Sequence, residues 1–284
     1  MRQGKIERKG ILFLTPSLVG VGVFVLFPYI QVILRSFGAY DLVPGIGTEY
    51  YRMVIRNEAF QLAVVNSVVF LGISLPLLMI LSLVFAYGMF LSVRKTYWIQ
   101  TGLILPMLLP VSTVVLLWQF LFHKNGFISS MLGYEIGQGV DWIASGYAMA
   151  ILVFWFLWKN LGFAIVFLLE GILMLPPDML QAGKMDGAGA FNSFQYLIIP
   201  QITGHLLCVM ILAVVDAFKI YREIYLLAGE YPSKEIYMIQ HVFNNWFREL
   251  RVEELAAGAV LMLGFFLILL LFIQKICDRK GIEL

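Results

Sequence analysis

Three polar side chains lie inside long apolar stretches of this sequence. Lys159 and Asn160 directly follow Trp158 in one stretch. Asp216 lies in a later stretch. Ionisable groups in such surroundings are costly, and they usually line a polar path or pair with one another. We predict that these three groups meet the polar groups of a solute while the tryptophan stacks on it; alternatively, Lys159 and Asp216 pair to hold the helix bundle together, or contact another subunit.

Motifs for a self-contained active site are absent from the sequence. It contains no GxxxxGK[ST] phosphate loop, no GxGxxG fingerprint and no GxSxG elbow. His123, His205 and His241 are far apart and lack the spacing of metal ligands. We therefore predict no catalytic residues, no metal site and no bound cofactor, and we expect that the chain is not an enzyme.

The composition is typical of a protein that lies in a bilayer. Of 284 residues, 61% are hydrophobic and 13% are charged, and the mean hydropathy is +0.86. Soluble domains have about 45–50% apolar and about 25% charged residues. The net charge of +2 is too small to favour a nucleic-acid partner. Two cysteines cannot form a disulfide framework.

Six apolar stretches are long enough to cross a bilayer as helices. The first is too long for a signal peptide, so we expect it to be a retained span. In the third stretch, Pro106 and Pro110 each predict a kink or a helix end. The predicted spans are residues 11–34, 62–91, 99–122, 146–175, 202–217 and 255–276.

Basic residues predict the orientation of the chain. The strongest cluster, at residues 2–9, precedes the first span, and Arg94 and Lys95 lie between the second and third spans. Segments rich in lysine and arginine tend to stay in the cytoplasm. We therefore expect both termini and the segment at residues 175–201 to be cytoplasmic.

Residues 175–201, which we call the 175–201 loop, differ from the apolar stretches around them. Two prolines stop the preceding helix, and Asp178 is placed to cap a short helix of residues 179–185. Gly187 breaks that helix, because glycine accepts the positive φ of a helix end. A second helix of residues 188–198 is expected to follow, and Pro200 to end it.

The 175–201 loop resembles the cytoplasmic loop of the permeases of binding-protein-dependent ABC importers. The pattern of that family is an acidic-Ala-Ala triplet, then Asp-Gly-Ala, then a Phe and an Ile-Pro or Leu-Pro. Two positions differ, because Gln181 replaces the usual Glu and Gly183 replaces the second Ala. The second change is expected to weaken the short helix by about 0.5–1 kcal/mol relative to Ala. The matching positions are Gln181, Ala182, Gly183, Asp186, Gly187, Ala188, Phe194, Ile199 and Pro200.

Further stretches resemble the permeases of carbohydrate importers over nearly the whole chain. Two stretches depart from that pattern: residues 228–232 read Ala-Gly-Glu-Tyr-Pro where Thr-Gly-Gly-Gly-Pro is usual, and residues 257–259 read Ala-Gly-Ala where Ala-Leu-Ser is usual. The matching stretches are Leu14-Thr15-Pro16, Phe27-Pro28, Asn66-Ser67, Trp158 with Gly162-Phe163, and Phe218-Lys219 with Glu223-Ile224-Tyr225-Leu226-Leu227.

The resemblance implies a fold and a role. The fold is that of an all-α membrane protein with six transmembrane helices, the type I ABC importer permease fold, in the inner membrane of a bacterium or archaeon. Residues 1–60 would hold the first helix and an outer loop, residues 61–276 the transmembrane domain, and residues 277–284 a cytoplasmic tail. The implied function is the import of a sugar or oligosaccharide.

The resemblance also implies partners. The short helix of the 175–201 loop would dock on a cytoplasmic ABC ATPase, which binds the ATP and Mg²⁺ that this chain does not. Closure of two ATPases would then turn the permease from inward-facing to outward-facing. A second, different permease would complete the path, and an extracytoplasmic binding protein would deliver the solute.

Other functions stay open at this point. These residues do not distinguish a sugar permease from a permease of the same class for a phosphorylated polyol or an amino acid. An ion-coupled secondary transporter would more often show additional spans and inverted repeats. A membrane enzyme would show a nucleophile–base motif or a metal cluster, and the sequence shows neither.

Overall fold

A computed structural model describes residues 14–38, 47–92, 97–134 and 139–279. The basic cluster at residues 2–9, together with Arg94 and Lys95, lies outside the described residues, as does the start of the first predicted span at residues 11–13. The predicted cytoplasmic termini and the predicted domain boundaries therefore stay predictions.

The described residues are almost entirely helical. In chain order the helices are α1 (Leu14–Ser36), α2 (Glu49–Arg56), α3 (Glu58–Leu91), α4 (Tyr97–Leu108), α5 (Val111–Phe122), α6 (Phe127–Met131), α7 (Ala148–Leu173), α8 (Pro177–Met185), α9 (residues 190–201), α10 (Thr203–Lys219), α11 (Tyr221–Ala228), α12 (Ile239–Arg248) and α13 (Val252–Arg279), with a 3₁₀ turn at Lys234–Ile236.

Candidate membrane spans confirm the predicted all-α membrane fold. Within the described residues, five spans are long and apolar enough to cross a bilayer, and a bent pair of helices makes up to six. The five spans are α1, α3, α7, α10 together with α11 (Thr203–Ala228), and the first part of α13 (Val252–Leu271). Each continuous helix satisfies its own backbone hydrogen bonds, which a bilayer requires.

The third predicted span, residues 99–122, is not one straight helix. Its two halves, Trp98–Leu108 and Val111–Met131, are bent by 91° at the break between them. Pro110 causes the break, because its extended backbone (ψ 140°) starts α5 and its ring cannot continue α4. Pro106, in contrast, lies inside α4 without ending it.

Wider helical turns precede two other prolines. A π-helical turn, Gly22–Leu26, comes just before Pro28 in α1, and another, Ser193–Ile198, comes just before Pro200 in α9. A wider turn relieves the clash between a proline ring and the carbonyl one turn earlier. The prediction that Pro200 ends the second helix of the loop is therefore wrong: α9 continues to Gln201, and the break comes at Ile202.

The fifth span is longer than predicted. The candidate span extends from Thr203 to Ala228, whereas the sequence predicted an end at residue 217. The span continues as α11 after a turn at Ile220, and two of its charges are paired, Lys219 with Asp216 and Glu223 with Lys159.

The described residues divide into two compact units, the first from the ranges 14–61 and 242–275 and the second from the ranges 62–241 and 276–279. In the first unit, Phe60 stacks on Trp246 with ring centroids 5.9 Å apart. The same tryptophan and Phe243 lie against Gly258 of α13. Arg35 at the end of α1 forms an ion pair with Glu253, with an N–O distance of 3.6 Å.

In the second unit, α7 is the most buried of the candidate spans, with half of its most apolar window inside the protein. Phe156, Ile165 and Leu168 of α7 are each at most 2% exposed. At Gly162 a Cβ atom would lie 1.7 Å from the carbonyl oxygen of Leu103, so that α4 and α7 pack backbone to backbone. This close packing fixes the side chains of α7 that carry the polar site.

Candidate functional site

The 175–201 loop contains the short helix that the sequence predicts. α8 extends from Pro177 to Met185, and Pro176 is the residue before its first turn. Asp178 lies inside that turn and makes no capping hydrogen bond, so the prediction that it caps the helix is wrong. Proline at the first helical position explains the shift, because its missing N–H is one that the helix leaves unpaired. The negative charge of Asp178 still stabilises α8, because it lies near the positive end of the helix dipole.

A tight turn at Asp186 and Gly187 ends α8. Gly187 has a φ of +80°, and its N–H donates to the carbonyl of Lys184 at 3.1 Å. The N–H of Ala188 donates to the carbonyl of Gly183 at 2.9 Å. This pair of bonds is the Schellman motif, which needs a residue of positive φ at the position of Gly187. The predicted helix–glycine–helix arrangement is therefore present.

α8 presents one face outward and one face inward. Gln181, Ala182 and Met185 are exposed, the last at 88%. Gly183 is buried, and a Cβ atom there would lie 2.4 Å from Cδ1 of Leu197. The glycine that departs from the family pattern thus makes room for a leucine of α9, which the sequence alone did not suggest.

α9 is in turn held against the end of α3. The ring of Phe194 stacks on Tyr87 with centroids 4.6 Å apart and an interplanar angle of 28°. The hydroxyl of Tyr87 donates to the carbonyl of Ala190 at 2.7 Å. Ile198 lies one turn further along α9 and is only 1% exposed.

A second group of residues forms a small cavity of about 10 Å³, which we call the polar cleft. That volume is roughly what one water molecule needs. Asn160 is 6% exposed, and its side-chain amide donates to the carbonyl of Phe156 at 2.9 Å. The cleft is lined by Trp155, Phe156, Lys159, Asn160, Asp216, Ile220 and Glu223.

An ion pair crosses the polar cleft from α7 to α11. The ammonium group of Lys159 donates to Oε1 of Glu223, whose side chain is 1% exposed. The second oxygen of Glu223, Oε2, is buried and has no hydrogen-bond partner among the described residues. Such a pair is sensitive to the loss of either member, because the other would remain as a buried charge.

The predicted pairing of Lys159 with Asp216 is wrong. Asp216 pairs with Lys219 instead, at 2.8 Å and one turn further along α10. Residues three apart lie on the same helix face, which makes this local pair easy to form. Glu223, which the sequence analysis named only within a stretch that matches the family, is thus a functional candidate that it did not assign to the polar site. The local pair was the signal, since it leaves Lys159 in need of a different carboxylate.

Tryptophans pack beside the polar cleft. Trp118 of α5 and Trp155 of α7 stack with ring centroids 4.7 Å apart and planes within 1° of parallel. Trp158, which the sequence placed in the solute path, contacts this stack edge-on at 6.3 Å and does not line the cleft. The structure therefore brings Lys159, Asn160 and Asp216 together but leaves Trp158 to one side.

The opposite end of α3 from Tyr87 also binds a polar segment. The side-chain amide of Asn66 donates to the carbonyls of Lys234 (2.6 Å) and Tyr237 (3.0 Å). The hydroxyl of Ser67 accepts the N–H of Ile239 at 3.3 Å. The stretch Asn66-Ser67, singled out in the sequence, thus positions residues 233–241, which we call the 233–241 segment.

His241 ends this segment in a buried position. It is 0% exposed, and its Nδ1 accepts the N–H of Met238 at 3.1 Å. Tyr221 and Tyr237 contact the imidazole with ring centroids at 4.7 and 5.5 Å. Burial lowers the pKa of His241 to about 4, so the ring is neutral at physiological pH. Within the described ranges, no three His, Cys, Asp or Glu side chains group closely enough to hold a metal ion.

Comparison with known proteins identifies the family. Residues 63–281 match the family described as "Binding-protein-dependent transport system inner membrane component". The chain belongs to this family. The match contains both the 175–201 loop and the polar cleft, and it makes the chain an ABC importer permease.

Individual relatives of this permease are distant but aligned over most of their length. It is 24% identical over 272 residues to a probable ABC transporter permease of Pyrococcus horikoshii, with 92% of both chains covered. It is 24% identical over 272 residues to the trehalose/maltose transport system permease MalF of Thermococcus litoralis, with 93% of this chain and 90% of the other covered. A crystal structure of a bacterial ABC transporter involved in the import of the acidic polysaccharide alginate shares the fold, with a TM-score of 0.82 and 21% identity over 97% of this chain and 98% of that one.

Proposed function

We propose that this permease imports a sugar or oligosaccharide, driven by ATP hydrolysis on separate ABC ATPase subunits. An extracytoplasmic binding protein delivers the solute, and a second permease completes the path. In this proposal the 175–201 loop faces the cytoplasm and docks on the ATPase. The chain itself binds no ATP and performs no catalysis.

The geometry of α8 is the observation that carries the proposal. The first triplet of the family motif lies on a helix of nine residues that is exposed on one face and fixed at its end by the Schellman turn at Gly187. Gln181 and Ala182, the first two motif residues, lie on the exposed face. A rigid projecting helix can fit a groove on another protein without the entropy cost of ordering a loop.

The charge balance of the polar cleft supports an uncharged solute. Among the residues that line the cleft, Lys159 pairs with Glu223, and Asp216 pairs with Lys219 of the same helix. A phosphate group would have to compete with those carboxylates for its cations, whereas hydroxyl groups can share them as donors and acceptors. Relatives that are named for trehalose and maltose support the same class of solute. A phosphorylated polyol or an amino acid is the alternative.

Co-purification tests the assembly directly. The tagged chain would be solubilised from its native membranes, captured, and the accompanying chains identified by mass spectrometry. We expect an ABC ATPase and a second permease. A stable preparation of the single chain without any ATPase would contradict the proposal and favour an ion-coupled transporter or a membrane enzyme.

Transport by the purified complex tests the solute class. Proteoliposomes would contain the complex, the binding protein that captures the solute, and ATP inside or outside. Radiolabelled maltose and trehalose would be compared with sn-glycerol 3-phosphate and an amino acid. The proposal is supported if a neutral sugar is taken up and this uptake requires ATP on the side of the membrane where the ATPase lies. Uptake of only the phosphorylated polyol or the amino acid would favour the alternative.

A further inference from the structure

The second span, α3, is bonded to a polar segment at each of its ends. At one end Tyr87 binds α9 through two different contacts, its hydrogen bond to the carbonyl of Ala190 and its stack on Phe194. At the other end Asn66 and Ser67 bind the 233–241 segment by four hydrogen bonds, one of them from the Ser67 hydroxyl to the sulfur of Met238 at 3.6 Å. Twenty residues separate Ser67 from Tyr87, which is about 30 Å of helix and the thickness of a bilayer core.

The Tyr87 end continues into α8. α9 carries Leu197, which fills the space left by Gly183 of α8, and the N–H of Ala188 is bonded to the carbonyl of the same glycine. A displacement of α8 therefore moves α9, because the two helices share a packed contact at Leu197 and are joined by a short turn that a backbone hydrogen bond fixes to α8. α9 in turn cannot shift relative to α3 without breaking the Tyr87 hydrogen bond or sliding the stacked rings.

At the Asn66 end, α3 is joined to the 233–241 segment by specific, buried hydrogen bonds. The Asn66 amide donates two hydrogen bonds, one to the first residue of the 3₁₀ turn, Lys234, and one to Tyr237 directly after the turn. Ser67 and Asn66 are 7% and 9% exposed, so water competes little for these bonds. The 233–241 segment is thus attached to α3 by side-chain hydrogen bonds, although the two are about 170 residues apart in the sequence.

We propose that α3 is the strut that transmits a displacement of α8 across the membrane to the 233–241 segment, with Tyr87 as the positioning residue at one end and Asn66 at the other. The inference rests on the proposed function, because an ATPase must move α8. It adds a route and named residues to that function. A helix with bonded partners at both ends transmits movement, since helices resist compression far more than loops do.

The test uses two reporters in the complete complex, purified with its ATPase and second permease. Cys208→Ser and Cys277→Ser remove the native thiols. In separate samples, Met185→Cys on α8 and Glu235→Cys in the 233–241 segment carry an environment-sensitive fluorophore; Met185 is 88% exposed and Glu235 is exposed. ATP with orthovanadate is the probe, and the change in emission is measured at each site.

Tyr87→Phe is the decisive variant, because it keeps the stacked ring and removes only the hydroxyl. We expect the α8 reporter to respond as in the unmodified complex and the response of the 233–241 reporter to fall about fivefold, the factor that one net hydrogen bond is worth in an equilibrium. Asn66→Ala should give the same split from the other end. Tyr196→Phe is the matched control: the same chemical change on the same helix, at a side chain that is 68% exposed, with both responses retained.

Each remaining outcome overturns a distinct statement. If the 233–241 reporter responds fully in Tyr87→Phe, or if both reporters lose their response together, Tyr87 has only a structural role and the inference is wrong while the proposed function stands. If no ATPase co-purifies with the unmodified chain, the proposed function fails and the inference fails with it. That second failure is visible before any variant of α3 is made.

Discussion

In the 175–201 loop the backbone sets the geometry, whereas in the polar cleft the geometry depends on two side chains that are 64 residues apart in sequence. The loop needs a positive φ at Gly187 and the absence of a side chain at Gly183. The cleft needs a cation on α7 and a carboxylate on α11. The loop should therefore respond to changes of backbone preference, and the cleft to changes of charge.

The largest effect is expected from breaking the buried ion pair. Lys159→Met leaves the carboxylate of Glu223 buried with neither oxygen paired among the described residues. Loss of one member of such a pair typically costs about 3–5 kcal/mol. We expect a loss of that size in the free energy of unfolding, measured by denaturant titration of the protein in detergent.

The exposed ion pair nearby is the matched control. Lys219 is 53% exposed where it pairs with Asp216, and Lys219→Met should cost about 0–1 kcal/mol. The double variant Lys159→Met with Glu223→Met should recover most of the loss, because no charge then remains buried. Equal losses for Lys159→Met and Lys219→Met would show that the cleft does not depend on its charges.

A second large effect concerns pH, at the buried histidine of the 233–241 segment. Because burial lowers the pKa of His241 to about 4 from the 6.5 of the unfolded chain, only the unfolded state binds a proton between these values. Stability is therefore complete above pH 6.5 and falls as the pH drops, by about 1.4 kcal/mol per pH unit and about 3 kcal/mol in total by pH 4. Unfolding temperatures measured across this range would show the slope.

Substitution of the histidines separates this slope from general acid sensitivity. His241→Phe keeps an aromatic ring between the two tyrosines and should remove most of the slope. His123→Gln changes an exposed histidine and should leave the slope unchanged. A slope that survives in His241→Phe would assign the pH dependence to other groups.

Local patterns in the sequence predicted the loop well. The prolines, Gly187 and the motif spacing act within a few residues of each other, so the helix–turn–helix of the loop follows from them. The two local errors have local causes: Pro177 took the first helical position that left Asp178 inside α8, and a π turn allowed α9 to continue through Pro200.

Long-range contacts were predicted less well. Three polar residues of the cleft are predictable because charges are rare in apolar stretches, but the one pairing that the sequence offered for Lys159, as an alternative, was with Asp216 and not with Glu223. Hydropathy alone also does not distinguish a straight third span from two apolar helices with a 91° bend between them, because both helices are apolar. Nothing in a single sequence indicates that Leu197 fills the space at Gly183 or that Tyr87 binds Ala190, because these contacts depend on how the helices pack.

A moderate effect is expected from changing the backbone preference at Gly187. No atom lies within 4 Å of a Cβ built there, so a substitution meets backbone strain and no clash. Gly187→Val forces a β-branched residue to a φ of +80° at a cost of about 1–2 kcal/mol. Gly187→Asn should cost less, because asparagine tolerates this conformation.

Transport distinguishes the two variants of Gly187 more sharply than stability does. We expect Gly187→Val to insert in the membrane but to lose solute uptake, while Gly187→Asn keeps most of it, because only the first distorts the turn that presents α8. Uptake and ATP hydrolysis would be measured on the same proteoliposomes. Uptake by Gly187→Val at the unmodified rate would refute a coupling role for the loop.

The smallest effect, at Gly183, shows whether packing or helix preference decides this position. Alanine would strengthen α8 by about 0.5–1 kcal/mol, but its Cβ would lie 2.4 Å from Cδ1 of Leu197. We expect these terms nearly to cancel in Gly183→Ala. In a Leu197→Ala background the contact is gone, so the same substitution should then stabilise the protein by the full helix preference. The four unfolding temperatures form a double-mutant cycle; additive effects would mean that Leu197 does not fill the space at Gly183.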